Sequence, residues 1–207
     1  MDRDAEADSV AVAQVLAGDR EAFAVIVARY ARRVHDLARR MLRDATEAED
    51  VSQHAFLNAY RALARFDPRR PFRHWLLRIT SNLCRNRLAE RRRRPVTFGF
   101  SSDDGVGDER TFDPPAPPGA AQGMAADGPD SADASRVRAA LDALPETYRM
   151  TAILRYVHGL SLDEIAEITD EPESTVKTHL HRARAALARS LSVRSDETDS
   201  VADGTKG

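Results

Sequence analysis

Large apolar side chains recur at steps of three and four residues through most of the chain, which is the period of an amphipathic helix. Before the midpoint, this pattern predicts one short helix followed by three long ones, at about residues 10–16, 20–42, 45–66 and 72–94. Asp44 stands directly before the second long helix and Glu47 follows three residues later, which is the spacing of a capping box. Pro71 and Pro95 bracket the third long helix.

The carboxyl-terminal part carries a second set of helical patterns. They predict helices at about residues 137–144, 146–158, 162–168 and 173–191. Ser161 and Glu164 again have capping-box spacing, and the tight turn 169–172 separates the last two helices. Apolar and polar residues nowhere alternate with period two, so the sequence predicts an all-α fold without a sheet.

The stretch between the two sets of helices differs in composition. Residues 96–133 are rich in Pro, Gly, Asp and Ser and cannot bury enough apolar surface to offset the entropy lost on ordering. We therefore expect two small helical domains, residues 10–95 and 134–191, joined by a flexible acidic linker. The flanking residues 1–9 and 192–207 are expected to be disordered.

Charge is strongly segregated along the chain, although the net charge is only -2. Residues 29–94 contain 18 basic and 7 acidic side chains (+11), whereas residues 95–135 contain 1 and 8 (-7). Lys177 and Lys206 are the only lysines, so nearly all of the positive charge is arginine, whose guanidinium matches phosphate oxygens. The first domain therefore favours a polyanionic partner.

The compartment follows from what the sequence does not contain. No apolar run reaches the roughly 18 residues needed to span a bilayer, and the acidic start MDRDAEADSV is unlike a secretory signal. We expect a cytoplasmic chain without membrane insertion. Cys84 is the only cysteine and has no neighbours at metal-ligand spacing, so neither a disulfide, a metal site nor a cofactor is expected.

The last two predicted helices have the proportions of a helix-turn-helix: a short capped helix, a turn and a longer amphipathic helix. If Val176, Leu180 and Ala183 face inward, the outward positions are polar and suited to phosphates and base edges: Ser174, Thr175, Lys177, Thr178, His181 and Arg182. A solvated face of a helical hairpin would show the same residue pattern. The DNA-binding interpretation is favoured.

The third long helix mixes aromatic, amide and guanidinium groups, a combination suited to stacking on unpaired bases and holding their backbone. These residues are Phe72, His74, Trp75, Asn82, Arg85 and Asn86, followed by four consecutive arginines. A lone tryptophan among aliphatic neighbours is more often part of a core. We expect Trp75 to be at least half buried and Phe72 and His74 to be exposed.

A cluster of acidic residues lies on the second long helix. Glu47 is explained as a cap, while Glu49, Asp50 and Gln53 form a polar stripe at helical spacing. Carboxylates can serve a divalent metal, but no histidine or further aspartate stands in register to complete such a site. The stripe instead suits a partner helix that carries arginine.

Two segments resemble one family. EAEDVSQHAFLNAYRALARFDPRRPFRHWLLRITSNLCRNRLAERRRRP resembles region 2 of bacterial RNA polymerase sigma factors, and ALDALPETYRMTAILRYVHGLSLDEIAEITDEPESTVKTHLHRARAAL resembles their region 4. The whole looks like the extracytoplasmic-function (ECF) group of the sigma-70 family. The resemblance implies a non-enzymatic initiation factor that binds core polymerase, at the β′ clamp helices and the β subunit, and directs it to promoter DNA.

The resemblance also assigns roles to residues. Region 2 implies that Glu49, Asp50, Gln53 and Phe56 dock on core polymerase, although the family's usual glutamate after the glutamine is replaced here by His54. It further implies that Asn82 and the loop 67–72 form a pocket for a flipped base of the -10 element. Region 4 implies that the outward positions of the last helix read the -35 element as duplex. Family members are commonly held by an anti-sigma factor, so the resemblance also implies an anti-sigma factor as a partner.

Two rival functions compete with this interpretation. A free-standing helix-turn-helix regulator would bind duplex DNA as a dimer without polymerase, but it needs no surface for unpaired bases and no dimerisation heptad is visible. A nuclease would use the carboxylates between Glu47 and Asp50 with a divalent ion. Neither rival explains both segments.

Overall fold

The computed structural model of the chain describes residues 3–93 and 132–202, and over these ranges every regular element is a helix. The predicted linker, residues 96–133, lies almost entirely outside the described residues. None of the helices in the described part is long and apolar enough to cross a membrane. The all-α prediction is confirmed, and the helices form two domains.

Four helices build the amino-terminal domain: α1 (Arg3–Leu16), α2 (Ala22–Leu42), α3 (Ala45–Ala62) and α4 (Phe72–Arg93). Residues 3–9, which the sequence predicts to be disordered, belong to α1. The reason is Asp8, whose buried carboxylate accepts hydrogen bonds from the Arg29 guanidinium and the Tyr30 hydroxyl of α2. This pairing ties the helix to the domain, and composition alone does not reveal it.

The junction between α2 and α3 shows half of the predicted capping box. Arg43 ends α2 with a left-handed backbone (φ 59°), and the Asp44 carboxylate accepts a hydrogen bond from the Glu47 amide at 3.0 Å. The Glu47 carboxylate does not complete the box. It accepts instead from Arg91 Nε at 3.1 Å, joining the start of α3 to the end of α4.

The carboxyl-terminal domain contains α5 (Ala132–Asp142), α6 (Glu146–Ala152), α7 (Leu162–Thr169) and α8 (Glu173–Ala202), with a π-helical turn, Ile153–Val157, after α6. The predicted capping box at the start of α7 is confirmed. Ser161 Oγ accepts from the Glu164 amide at 3.2 Å, and the Glu164 carboxylate accepts from the Ser161 amide at 2.6 Å. The helix α8 continues to Ala202, into the segment expected to be a disordered tail.

One hydrophobic cluster contains buried side chains of both domains. Buried side chains of α2 and α4, among them Leu37, Met41 and Leu77, belong to the same cluster as Leu154 and Ile165 of the carboxyl-terminal domain. Each of these side chains is at most 2% exposed. The domains are therefore packed against each other, an arrangement that the sequence patterns do not predict.

A buried arginine crosses this interface. Arg149 of α6 is 3% exposed and donates to the Met41 carbonyl at 3.1 Å and to the Leu144 carbonyl at 2.8 Å. The last carbonyls of a helix lack partners within that helix, so a cation at the end of α2 satisfies one of them. Burial lowers the pKa of this guanidinium without neutralising it.

His158 lies beside α2 at the same interface. Burial lowers the pKa of its imidazole to about 4, while Asp36 acts in the opposite direction and the nearby Arg40, Arg33 and Arg73 reinforce the shift. Because the unfolded chain binds this proton with a pKa near 6.5, the unfolded state takes up more protons as the pH falls from about 6.5 to 4. The stability from a neutral His158 is complete above pH 6.5 and decreases below it.

We predict that the free energy of unfolding falls by about 1–2 kcal/mol between pH 7 and pH 5 through His158. His158→Gln should remove this part of the pH dependence, because glutamine does not titrate. His181→Gln is the matched control, since His181 is exposed on α8. Urea denaturation at several pH values measures the free energy of unfolding. If this free energy depended on pH equally in His158→Gln and His181→Gln, the prediction would be contradicted.

Candidate nucleic-acid and polymerase interfaces

The helix-turn-helix has the orientation that the sequence predicts. Val176 and Ala183 are fully buried and Leu180 is 5% exposed, so the apolar stripe of α8 faces the domain. Thr175 is partly buried. The other outward positions are exposed: Ser174, Lys177, Thr178, His181 and Arg182. Asp170 closes α7 in a left-handed conformation (φ 59°) and begins the turn. This places the first turns of α8 on an open surface.

Two cations on this surface are held by neighbours. Arg182 Nη1 donates to the Tyr148 hydroxyl at 2.8 Å, and the guanidinium carbon lies 6.0 Å from the centre of the Tyr148 ring. A hydrogen bond and ion pair with Glu173, one turn earlier on α8, raise the pKa of Lys177. The raised pKa keeps Lys177 charged, and the Tyr148 hydroxyl holds the Arg182 guanidinium, a contact that the sequence pattern did not reveal.

The aromatic residues of α4 are placed differently from expectation. Phe72 is 2% exposed and His74 is 7% exposed, so the prediction that both are accessible is wrong. The Phe72 ring packs edge-on against Phe66 and Trp75, with ring centres 5.2 and 5.4 Å apart. Aromatic rings gain most when they pack together away from water, which explains the burial. Trp75 is partly buried, as expected.

The loop before α4 borders a small cavity of about 130 Å³. Its walls come from Pro68–Pro71, from the Phe66 and Phe72 rings and from Asp8 and Ser9 of α1. Asn82 is exposed further along α4, where its side-chain oxygen accepts from Arg85 Nη2 at 2.8 Å. The structure thus gives the loop a concave surface and places the amide and guanidinium groups on the same helix.

Arg85 also reaches the other domain. Its second guanidinium nitrogen donates to the Thr169 carbonyl at the end of α7, at 3.1 Å. Asn86 is exposed and lines a groove of about 720 Å³ between the domains. Several residues proposed for unpaired DNA therefore lie in or beside the contact between the domains.

The acidic stripe on α3 forms an open polar surface. Glu49 and Gln53 are exposed, and Asp50 is partly exposed with its carboxylate 3.8 Å from Arg87 Nη2. Phe56 is 8% exposed and belongs to the hydrophobic core of the domain, so its ring lies beneath this surface. A contact between Phe56 and core polymerase stays a prediction.

The carboxylates that the nuclease interpretation would use lie at the start of α3. Within residues 3–93 and 132–202, no group of three or more His, Cys, Asp or Glu side chains is arranged to hold a metal ion. The Glu47 carboxylate is engaged by Arg91. The Glu47 carboxylate therefore joins α3 to α4, and Glu49 and Asp50 belong to the polar stripe of α3.

Sequence reasoning missed a set of ion pairs between the domains. Arginines of α4 and its preceding loop face carboxylates of α7: Arg70–Glu167, Arg73–Glu164 and Arg78–Asp170. The sequence does show an acidic residue at every third position from Glu164 to Asp170. This spacing does not reveal an ion pair unless α4 is known to pack against α7.

Comparison with known proteins agrees with this geometry. Residues 26–94 match the family model of sigma-70 region 2, and residues 134–187 match that of sigma-70 region 4. The ECF RNA polymerase sigma factor SigW of Bacillus subtilis is 36% identical over 187 residues, which cover 87% of this chain and 94% of the relative.

Two solved structures are similar over most of the chain. CnrH in complex with the cytosolic domain of CnrY is 28% identical with a TM-score of 0.63, covering 90% of this chain and 98% of CnrH. The sigma factor RpoE of Bartonella quintana, solved with the anti-sigma factor NepR, shares the fold at 19% identity and a TM-score of 0.59, covering 81% of this chain and 94% of RpoE. Since both family models match and SigW is 36% identical over most of both chains, the chain belongs to the ECF group of the sigma-70 family of RNA polymerase sigma factors.

Proposed function

We propose that this chain is a dissociable initiation subunit that joins core RNA polymerase in the cytoplasm, selects promoters and helps to open them, without catalysing a reaction itself. The observation that carries the proposal is the open face of α8, where polar and cationic side chains project from a helix fixed by Val176, Leu180 and Ala183. In a helix-turn-helix this face enters the major groove.

The amino-terminal domain supplies the second part of the function. Its +11 segment can neutralise phosphates as strands separate, and an unpaired base is stabilised by a concave pocket and stacking partners. The cavity beside the loop 67–72 and the exposed Asn82 support a role in holding the -10 element. Phe72 serves in this proposal as a buried wall.

The exposed stripe of Glu49, Asp50 and Gln53 is the proposed surface for core polymerase, at the β′ clamp helices. Carboxylates on an open helix face are complementary to a partner helix that carries arginine. The β subunit and an anti-sigma factor are the further proposed partners. The solved structure of RpoE from Bartonella quintana is a complex of that protein with the anti-sigma factor NepR.

In vitro transcription tests the proposal. The purified chain and core polymerase are combined on genomic fragments, and transcript starts are mapped. We expect starts that depend on both components and share upstream elements. A chain that fails to join core polymerase yet binds a palindromic duplex tightly would instead be a free-standing regulator.

Asp50→Ala should weaken binding to core polymerase while leaving the fold intact, because the carboxylate is partly exposed and its contact with Arg87 is long. Competition for core polymerase against the wild-type chain measures the change, with Asp44→Asn as a control that keeps the helix cap. Unchanged affinity in Asp50→Ala would reject the proposed surface.

Arg182→Ala should weaken binding of the holoenzyme to the -35 element by about 1–3 kcal/mol if the guanidinium contacts a base. If the guanidinium contacts a phosphate, the affinity for DNA should fall equally for all sequences, and the salt dependence of that affinity should decrease. Tyr148→Phe is a matched variant that removes only the hydroxyl holding Arg182. Electrophoretic mobility shifts at several salt concentrations measure both, and wild-type affinity in Arg182→Ala would exclude the contact.

Asn82→Ala should impair strand opening more than duplex binding, because the exposed amide is placed to contact an extruded base. Permanganate reactivity of promoter thymines measures opening. Arg61→Ala, an exposed change near the end of α3, is the control. Normal reactivity in Asn82→Ala would contradict the assignment.

A further inference from the structure

A series of side-chain contacts joins the turn of the helix-turn-helix to the outer face of α8. The carboxylate of Glu171, in the turn, lies 3.2 Å from Nδ1 of His179. The His179 side chain is 15% exposed, and its ring centre lies 5.3 Å from that of Tyr148. The Tyr148 hydroxyl accepts a hydrogen bond from Arg182 Nη1 at 2.8 Å. These contacts hold the Tyr148 hydroxyl and the Arg182 guanidinium next to each other.

Tyr148 comes from α6 and not from the recognition helix. The residue is partly buried, and its ring packs against the cluster formed by Leu144, Ala152 and Ala183. A tyrosine combines an apolar ring, which packing fixes, with a polar hydroxyl that needs a hydrogen-bond partner. Its hydroxyl is therefore held at the margin of the outward face of α8.

The direction of the hydrogen bond between these two side chains leaves donors for a further acceptor. An arginine can only donate, so the Tyr148 oxygen is the acceptor and its own proton takes no part in this bond. The guanidinium carries several N–H donors, of which this bond uses one. The two side chains thus present several donors and one positive charge at a single place. Phosphate oxygens, which are negatively charged and only accept, are the matching ligand.

The position of Arg182 along α8 favours the DNA backbone over the base edges. Recognition helices contact base edges with their amino-terminal residues, inside a major groove that is about 12 Å wide. Because α8 begins at Glu173, Arg182 lies about 14 Å further along the axis, at a rise of about 1.5 Å per residue. At that distance the helix leaves the groove, whose edge is lined by phosphates. Tyr148 accompanies Arg182 there through their hydrogen bond.

We propose that Tyr148 and Arg182 form a clamp for one phosphate of duplex DNA beside the -35 element. The Arg182 guanidinium supplies the positive charge, and the Tyr148 hydroxyl donates its proton to an oxygen of the same phosphate. The inference rests on the proposed function and deepens it, because it assigns Arg182 to the DNA backbone and adds a contact from α6. Such a contact fixes the register of the recognition helix on the duplex without reading its sequence.

A duplex of mixed sequence tests the clamp, because phosphate contacts do not depend on base sequence. The full chain is titrated into a fluorescent duplex of about 30 base pairs at several salt concentrations, without polymerase, and anisotropy reports binding. Arg182→Ala should reduce the slope of log affinity against log salt by about 0.9, the value for one phosphate. Tyr148→Phe should bind about threefold more weakly than the wild-type chain.

The matched control is Tyr156→Phe, which removes a hydroxyl from another tyrosine of the same domain, 54% exposed on the π-helical turn. It should bind the duplex like the wild-type chain. An equal affinity of Tyr148→Phe and Tyr156→Phe would overturn the proposal, because the Tyr148 hydroxyl would then contribute nothing to binding.

A double variant separates a direct phosphate contact of Tyr148 from a role in holding Arg182. If the hydroxyl itself donates to the phosphate, Tyr148→Phe should still weaken binding by about twofold or more when it is added to Arg182→Ala. If the double variant binds as tightly as Arg182→Ala alone, Tyr148 only holds the guanidinium and the clamp is rejected.

The holoenzyme on a mapped promoter locates the phosphate. Duplexes with a single methylphosphonate, which lacks the charge of the phosphate that it replaces, are compared at each position around the -35 element. At one position the replacement should weaken binding of the wild-type holoenzyme and leave that of the double variant unchanged. Equal losses for both proteins at every position would contradict the clamp.

These outcomes are separable from the proposed function. If the wild-type chain gives no promoter-directed transcripts with core polymerase, the proposed function fails, whereas the titrations of the mixed-sequence duplex still decide whether Tyr148 and Arg182 bind a phosphate. If transcription succeeds but Tyr148→Phe and Tyr156→Phe bind the duplex alike, only the clamp is rejected.

Discussion

The packing of α7 against α4 is the interaction on which the rest of the structure depends. Burial of a leucine or isoleucine stabilises by roughly 1.5–3 kcal/mol, whereas a half-exposed ion pair contributes about 0–1 kcal/mol. The shared cluster of Leu77, Leu154 and Ile165 therefore supplies the strength of the contact. The arginine–carboxylate pairs at its margin select the register, because a wrong alignment would leave like charges opposite each other.

The same contact joins the helix-turn-helix to the amino-terminal domain. The helix that precedes the turn of the helix-turn-helix, α7, has one face toward α8 and another toward α4. Its capping box fixes where it begins, and the left-handed Asp170 fixes where it ends. A short helix with both ends defined can contact two partners, because one face packs against α8 and another packs against α4.

Features set by local spacing could be predicted from the sequence. The inward stripe of Val176, Leu180 and Ala183 follows from helical period, and the capping box at Ser161 follows from two residues three apart. Both are independent of what the rest of the chain does. The family, the fold class and the outward face of α8 were accessible for this reason.

Features set by distant contacts could not be predicted. Phe72 and His74 were expected to be exposed, but Phe72 packs against Tyr30 of α2 and His74 lies against a helix more than eighty residues away in sequence. The start of α1 depends on Asp8 meeting Tyr30, and Phe56 is covered by its own domain. The hydrophobic period identifies the apolar face of a helix, but it does not identify the element that packs against the polar face.

The distance between the two domains tests the account most directly. Spin labels at Arg61→Cys and Ala185→Cys, exposed positions on α3 and α8, can be introduced selectively. Burial raises the pKa of the Cys84 thiol to about 12 and makes it unreactive. Double electron–electron resonance should give one short distance with a narrow distribution, because buried side chains of both domains belong to one cluster. A broad distribution of distances would contradict the account.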